Sequence, residues 1–434
     1  MTPLRRSNMF REQTKVTDPV LLDRSGETGP VGCGPILPAS GAETKPLRVQ
    51  VFEHVRASGR AARADVTRAL GISPGSASAA TADLIAGGFL REVEDHPREP
   101  GRGRPPVALE VVPERALVIG MKLAEDRFSA VLTDFSGRHL AEAAQPSAPH
   151  RREVDEMVDE IEALVTALLD RAGVALSEIS ALGIGAPGII DHDSGVAVWS
   201  PLFTERDAAI KGPVEARLGV TVEVDNDTNM LTLAELWFGA GRQTTDFAVV
   251  TIEQGVGMGL VLGSRLFRGS RGMGMELGHA KVQLDGALCR CGQRGCLEAY
   301  IADYALAREA ATALERPTRN MASAETLLES LYAHAKSGDQ GAATIFRRAG
   351  RYLALGLANV VQLFDPSLII LSGQRMRYDY LYADEVLVEM NRLVLPSGRL
   401  GAPVEIHAWG DDAWARGASA LALAAATANL LEAP

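Results

Sequence analysis

No stretch of the chain is apolar for long enough to cross a bilayer, so the sequence offers no membrane-spanning helix. No apolar h-region follows Arg5 and Arg6, and the first residues do not read as a secretory signal. Cysteine is scarce. Four in 434 residues are too few for a disulfide scaffold and fit a reducing cytoplasm. Short-period repeats are lacking too. These absences leave a cytoplasmic globular chain without membrane insertion.

At 46% hydrophobic residues, 434 positions are enough for two or three domains with real cores. The net charge of −11 is uneven. Residues 45–112 carry ten Lys and Arg against eight Asp and Glu, and residues 113–434 carry 29 against 42. A slightly basic head on an acidic body hints that the head alone contacts nucleic acid.

Residues 1–44 are rich in Gly, Pro, Ser and Thr without an apolar period, and read as a disordered tail. Residues 45–112 read as a winged helix-turn-helix. Leu47, Val51, Phe52 and Val55 fall at helical spacing, in a helix ending near Ser58-Gly59. Ala64 to Leu70 form a second helix and Gly71-Ile72-Ser73 a tight turn. Ser73 then caps a third helix, with Pro74 at its first position, where no amide donor is needed. Phe89 to Val93 and Val107 to Val112 alternate as the two strands of a wing.

From Val118 the chain alternates strands and helices. Strands are expected at 117–120, 128–133, 179–184, 247–252, 259–262 and 368–371. Helices are expected around Val154 to Leu168 and Ala354 to Leu363. This is an α/β body of two lobes over residues 113–434.

Three of the four cysteines crowd into the eight residues from Cys289 to Cys296. Cys289, Cys291 and Cys296 with His279 offer three thiols and an imidazole, which close a tetrahedral zinc site with no open position. Such a knuckle, spanning 279–296, is structural. The bland alternative is a disulfide or idle thiols. Cys33, far away in a Gly/Pro-rich stretch, reads as a bystander.

Several blocks together resemble the ROK family of sugar-responsive repressors, uncharacterised reading frames and sugar kinases. They are Gly183-Ile-Gly-Ala-Pro-Gly188, Asn226-Asp-Thr-Asn229, Glu235-Leu-Trp-Phe-Gly239, Gly255-Val-Gly-Met-Gly259, Glu276-Leu-Gly-His279 and Cys289-x-Cys-Gly-x-x-Gly-Cys-Leu-Glu298. The resemblance implies the two-lobed actin-like ATPase/sugar-kinase fold, with a sugar in the cleft. It also implies that Asn226, Asp227, Glu276, His279 and Glu298 bind sugar hydroxyls. Carboxylates and an amide suit a ring of vicinal hydroxyls in any case. Asp227 matches the general base of kinase members.

The phosphate turns depart from that family. Its kinases carry Asp-x-Gly-Gly-Thr after the first strand. Here the stretch reads Lys122-Leu-Ala-Glu-Asp126, and the second turn opens Glu253-Gln254-Gly255. No catalytic residue is therefore expected to turn over ATP.

In the head, Ser76, Ala77 and Ser78 lie at the groove-entering end of the third helix. Arg63 is a candidate phosphate contact. Arg102-Gly103-Arg104-Pro105 resembles an AT-hook core, with Arg102 and Arg104 able to enter a narrow A·T minor groove. The alternative is a solvated basic linker. The expected protein is a repressor of carbohydrate uptake or catabolism genes, a homodimer or homotetramer on operator DNA, answering to a sugar or sugar phosphate. A sugar kinase that kept a DNA-binding head, and a body that docks a protein partner, remain as rival readings.

Overall fold

The structure, a computed structural model, describes residues 16–17, 32–37, 45–94, 107–148, 150–270, 272, 274–313, 324–373, 376, 384–395, 401–410 and 412–431. The chain divides into two units. One comprises residues 1–20, 246–260 and 274–410, and the other 21–245, 261–273 and 411–434.

The second unit begins with the head. Its helices span Leu47–Ser58, Arg63–Leu70 and Pro74–Ala86. A three-stranded sheet follows, with Val107–Val111 between Ala61–Ala62 and Leu90–Glu94, antiparallel to both. Gly71 ends the middle helix at φ 64°, a left-handed turn that suits glycine. Ser73 Oγ accepts the Ser76 N–H at 3.0 Å, and Pro74 opens the next helix as the sequence indicates. The loop bearing Arg102 and Arg104 lies outside the described residues.

Behind the head stands a five-stranded sheet in the order Thr221–Asn226, Ile179–Ala186, Leu117–Lys122, Arg127–Asp134, His139–Pro146. The first three strands are parallel and the others antiparallel. Alternation sorts the side chains by face. Ile119, Met121, Leu182, Ile184, Val222 and Val224 share a core with the Val154–Ala172 helix. The opposite face is pared to glycine. A Cβ on Gly120 would stand 2.0 Å from the Ala415 carbonyl oxygen, and one on Gly183 2.0 Å from that of Ala418. The alanine-rich Ala413–Leu431 helix therefore lies directly on the strand backbones.

Residues 32–37 correct the expectation of an unstructured tail. The Cys33 N–H donates to the Arg56 carbonyl at 3.1 Å, the Gly34 N–H to Trp237 at 2.8 Å and the Ile36 N–H to Arg242 at 2.9 Å. Cys33 is buried, and burial pushes its thiol above the usual range. It is packing, not a bystander. The segment ties the first head helix to the body. Arg56, 2% exposed, completes that joint: Nη1 donates to Thr427 Oγ1 at 2.9 Å, and the guanidinium lies 4.7 Å from the Trp237 ring centroid and 5.2 Å from that of Phe52.

In the first unit, Val16–Thr17, Val404–His407, Leu368–Ser372 and Phe247–Ile252 run parallel in that order, with Val256–Leu262 beside Phe247–Ile252. Every residue of Phe247–Ile252 is buried, in keeping with a run that is apolar but for Thr251. Helices Asp303–Ala313, Ala324–Lys336, Gln340–Phe364 and Asp384–Leu393 contribute to the core of this unit. The long helix extends well before the expected Ala354, because Asp339 caps its start by accepting from the Ala342 N–H at 2.8 Å. Among the described residues no helix is long and apolar enough to cross a membrane.

Candidate metal and ligand-binding site

The first unit assembles the thiol cluster. Ligand atoms of His279, Cys289, Cys291 and Cys296 all lie within 4.8 Å of one another. Cys289 Sγ is 3.7 Å from His279 Nδ1, and Cys291 Sγ is 3.7 Å from Cys296 Sγ. The loop is folded by its own backbone. The Cys289 N–H donates to Gln293 O at 2.8 Å, the Gly292 N–H to Cys289 O at 3.0 Å and the Val282 N–H to Gly295 O at 2.8 Å. Gly295 has φ 76°, and a Cβ there would meet the Gln283 carbonyl at 1.7 Å. The cysteines are free, and three thiols with an imidazole at this spacing can hold a metal ion. Lys281 Nζ donates to Cys296 Sγ at 2.9 Å, a cation placed to share thiolate charge. Burial raises the Cys289 thiol above its usual range, and a bound metal offsets this by favouring the thiolate.

The cluster is continuous with the expected hydroxyl ligands of the same unit. His279 turns Nδ1 to the thiols and leaves Nε2 3.9 Å from Glu276 Oε2. Glu298 is buried. Its Oε1 is 3.6 Å from Cys289 Sγ and accepts from Tyr304 Oη at 3.4 Å, while Oε2 accepts the Val256 N–H at 3.3 Å. The strand expected at 259–262 begins earlier, at Val256, so most of the Gly255-Val-Gly-Met-Gly259 block lies in the Val256–Leu262 strand. Gly255 answers to Glu298. A Cβ there would stand 3.0 Å from Oε2. Tyr304 and Lys281 were not anticipated from the sequence.

The second unit holds Asn226 and Asp227 where the Thr221–Asn226 strand gives way to the Asp227–Phe238 helix. Asn226 caps that helix. Its Oδ1 accepts the Thr228 N–H at 2.8 Å and its Nδ2 donates to Gly188 O at 2.7 Å. Gly188 sits at φ 112° with a virtual Cβ 2.2 Å from Trp199 O, so only glycine presents that carbonyl. Burial pushes the Asp227 carboxyl above its usual range, and the Lys122 ammonium pulls it back. Asp225, 1% exposed, anchors the turn. Its Oδ1 accepts from Asn226 N and Asn229 Nδ2, both at 2.7 Å, and its Oδ2 from Arg268 Nε at 2.6 Å. Arg268 is 43 residues away and has no local sequence signal.

The expected DNA-reading residues divide. Ser78 is exposed, and Ser76 is half-buried with Oγ 2.9 Å from Ser73 Oγ. Ala77 is 0% exposed, which removes it from the expected contacts: it packs inward with Thr81 and Leu84 on the same helix face. Arg63 is also engaged internally, donating from Nε to Thr81 Oγ1 at 3.1 Å and from Nη2 to Glu92 Oε1 at 2.7 Å.

Residues 118–425 match the ROK family. The DNA-binding transcriptional dual regulator NagC of Escherichia coli (strain K12) is 27% identical over 360 residues, covering 82% of this chain and 86% of that protein. A glucokinase of Streptomyces coelicolor is 32% identical over 271 residues, covering 59% of this chain and 81% of the enzyme. Among solved structures, a ROK family transcriptional regulator homologous to the Escherichia coli MLC protein superposes with a TM-score of 0.74 over 89% of this chain and 97% of its own. Its 23% identity speaks for the fold alone. With more than half its length matched, the chain belongs to the ROK family.

Proposed function

We propose that the chain is a sugar-responsive transcriptional repressor acting in the cytoplasm, with a winged-helix DNA-binding head, a structural zinc knuckle and no kinase activity. One contrast carries this reading. All five positions that the family resemblance assigns to sugar hydroxyls, Asn226, Asp227, Glu276, His279 and Glu298, keep side chains able to bind them, while the first strand ends in Lys122-Leu-Ala-Glu-Asp126, with no glycine pair to admit nucleotide phosphates. NagC and the repressors among the relatives support the regulatory reading, since its similarity extends over 360 residues, beyond the family-matched body. Zinc suits the Cys3His donor set, and its closed shell leaves no position for a substrate.

Sugar in the body shifts the balance between two arrangements, and the shift changes how paired heads meet their half-sites. A homodimer or homotetramer follows from this, because one small head makes too few contacts for tight specific binding. Ser78 and the arginines at 102 and 104 would read the operator. The test selects DNA fragments that bind the purified chain. It then adds a panel of hexoses, pentoses and their phosphates, alone and with ATP and magnesium. Sugar-dependent loss or gain of DNA binding without ATP turnover supports the proposal. Robust phosphorylation of any sugar overturns it in favour of a kinase, for which Asp227 stands at the right position.

A further inference from the structure

Residues 261–273 belong to the second unit, although residues 246–260 before them and 274–410 after them belong to the first. The chain therefore leaves one unit, makes a short excursion through the other and returns. Within the second unit this excursion is fastened at three points. The Ser264 N–H donates to the Thr245 carbonyl at 2.8 Å. Arg268 Nε donates to Asp225 Oδ2 at 2.6 Å. Gly272, at φ 65°, has no room for a side chain, since a Cβ there would stand 2.5 Å from the Ile190 carbonyl oxygen.

Two of those points lie beside the supports of Asn226. Its N–H donates to Asp225 Oδ1, and its Nδ2 donates to the carbonyl of Gly188, close before Ile190 on the chain. Asp225 is 1% exposed, and a carboxylate so far from water needs a counter-charge. His192 Nδ1 lies 3.9 Å from Oδ2, but its hydrogen goes to the Val224 carbonyl at 2.9 Å. Among the described residues Arg268 is the one lysine or arginine within 4.0 Å of the Asp225 carboxylate. With Oδ2 paired in this charge-assisted bond, Oδ1 holds Asn226 and Asn229.

We propose that Arg268 is a positioning residue for the sugar site. It neutralises Asp225, which fixes Asn226, and so ties the Asn226-Asp227 turn to the placement of residues 261–273. From the end of that excursion the chain runs directly to Glu276, the next position expected to bind a hydroxyl. Occupying the turn and holding this segment become one event, carried by one ion pair. This rests on the sugar-receptor reading and adds to it a residue that touches no sugar.

The test uses the full chain, with glucose, N-acetylglucosamine, xylose and their phosphate esters as probes. Calorimetry reads affinity, and hydrogen exchange reads the backbone amides. A probe that binds the wild type should slow exchange at 226–229 and at 264–268 together. Arg268→Met should weaken binding of that probe about tenfold or more and confine the slowing to 226–229. Arg268→Lys should retain most of the affinity. Asp225→Asn keeps an acceptor for the Asn226 N–H and removes the unpaired charge. Added to Arg268→Met, it should therefore restore much of the affinity but not the slowing at 264–268. Arg268→Met with wild-type affinity, even if it melts lower, makes the pair a stability element only and overturns the proposal. If Arg268→Met does not fold, the double variant decides. Slowing at 264–268 that survives in it, or affinity that does not recover, overturns the proposal and leaves the receptor reading standing. A wild type that binds none of the probes overturns both.

Discussion

Cys289 Sγ stands 3.6 Å from Glu298 Oε1, so a metal-ligand candidate and a sugar-ligand candidate touch within one unit. Tyr304 Oη donates to both, at 3.5 Å to the thiol and 3.4 Å to the carboxylate. The loop that carries the cluster therefore also positions Glu298, and loss of a metal bound there should disturb Glu298 through these contacts.

The expected metal content is about one zinc per chain. Cys291→Ser, at the exposed member of the cluster, should abolish it. The same variant should lower the melting temperature and weaken the sugar response together. Elemental analysis beside a thermal ligand titration reads both. A zinc-free variant with unchanged ligand response would separate the two sites.

Asp227 gives a prediction with a defined sign. Burial raises its carboxyl in the folded state, with Lys122 opposing. The folded chain keeps this proton to higher pH than the unfolded chain does. Stability from this group therefore falls as pH rises from the ordinary carboxylate range through the raised value, and is level above it. Asp227→Asn should melt at or above the wild-type temperature at neutral pH, with a flatter acid-side profile, and should lose its sugar response. Melting curves across pH check this. A less stable variant with full ligand response would make Asp227 a turn residue only.

The joint at Arg56 is a stability element. Its guanidinium is enclosed by Phe52, Phe135 and Trp237, and its Nε has no hydrogen-bond partner among the described residues. Arg56→Ala should cost about 2–4 kcal/mol through lost contacts and a cavity. Gly137→Ala should act at the same place, because its Cβ would stand 2.2 Å from Cys33 Sγ at φ 90°. Denaturant titration reads both. Wild-type midpoints would mean that the 32–37 segment contributes no stability.

What the sequence made legible followed from local physics. The head helices announced themselves through Ser73, Pro74 and the glycine stops, and the buried strands through mostly apolar runs such as Phe247–Ile252, where Thr251 alone is polar. The thiol cluster was visible because its ligands are close in sequence as well as in space. Ala77 was misread although a signal existed: 77, 81 and 84 fall on one helical face, and Leu84 points that face inward. Arg268 and Cys33 had no such signal. Arg268 pairs across 43 residues, and the Cys33 segment is held by backbone bonds to Arg56, Trp237 and Arg242. Polar, glycine-rich composition looks the same whether or not a distant surface receives it.

The head closes the set. With Ala77 inside and Arg63 tied to Thr81 and Glu92, the exposed face of the third helix offers Ser78 and small neighbours, so any major-groove readout by it should be thin. The arginines at 102 and 104 then have to supply much of the affinity. Replacing both with Ala should weaken operator binding, flatten any preference for A·T steps beside each half-site, and lower the salt slope by roughly one unit per phosphate charge no longer neutralised. Ser78→Ala should change base preference more than salt slope. Arg63→Ala should loosen the contact between the third helix and the wing strand, and so weaken all sequences alike. Anisotropy titrations on one operator and its G·C-substituted version, at two salt concentrations, separate these effects. If the double arginine variant keeps its affinity and its A·T preference, the loop is a linker and Ser78 with its neighbours carries the reading alone.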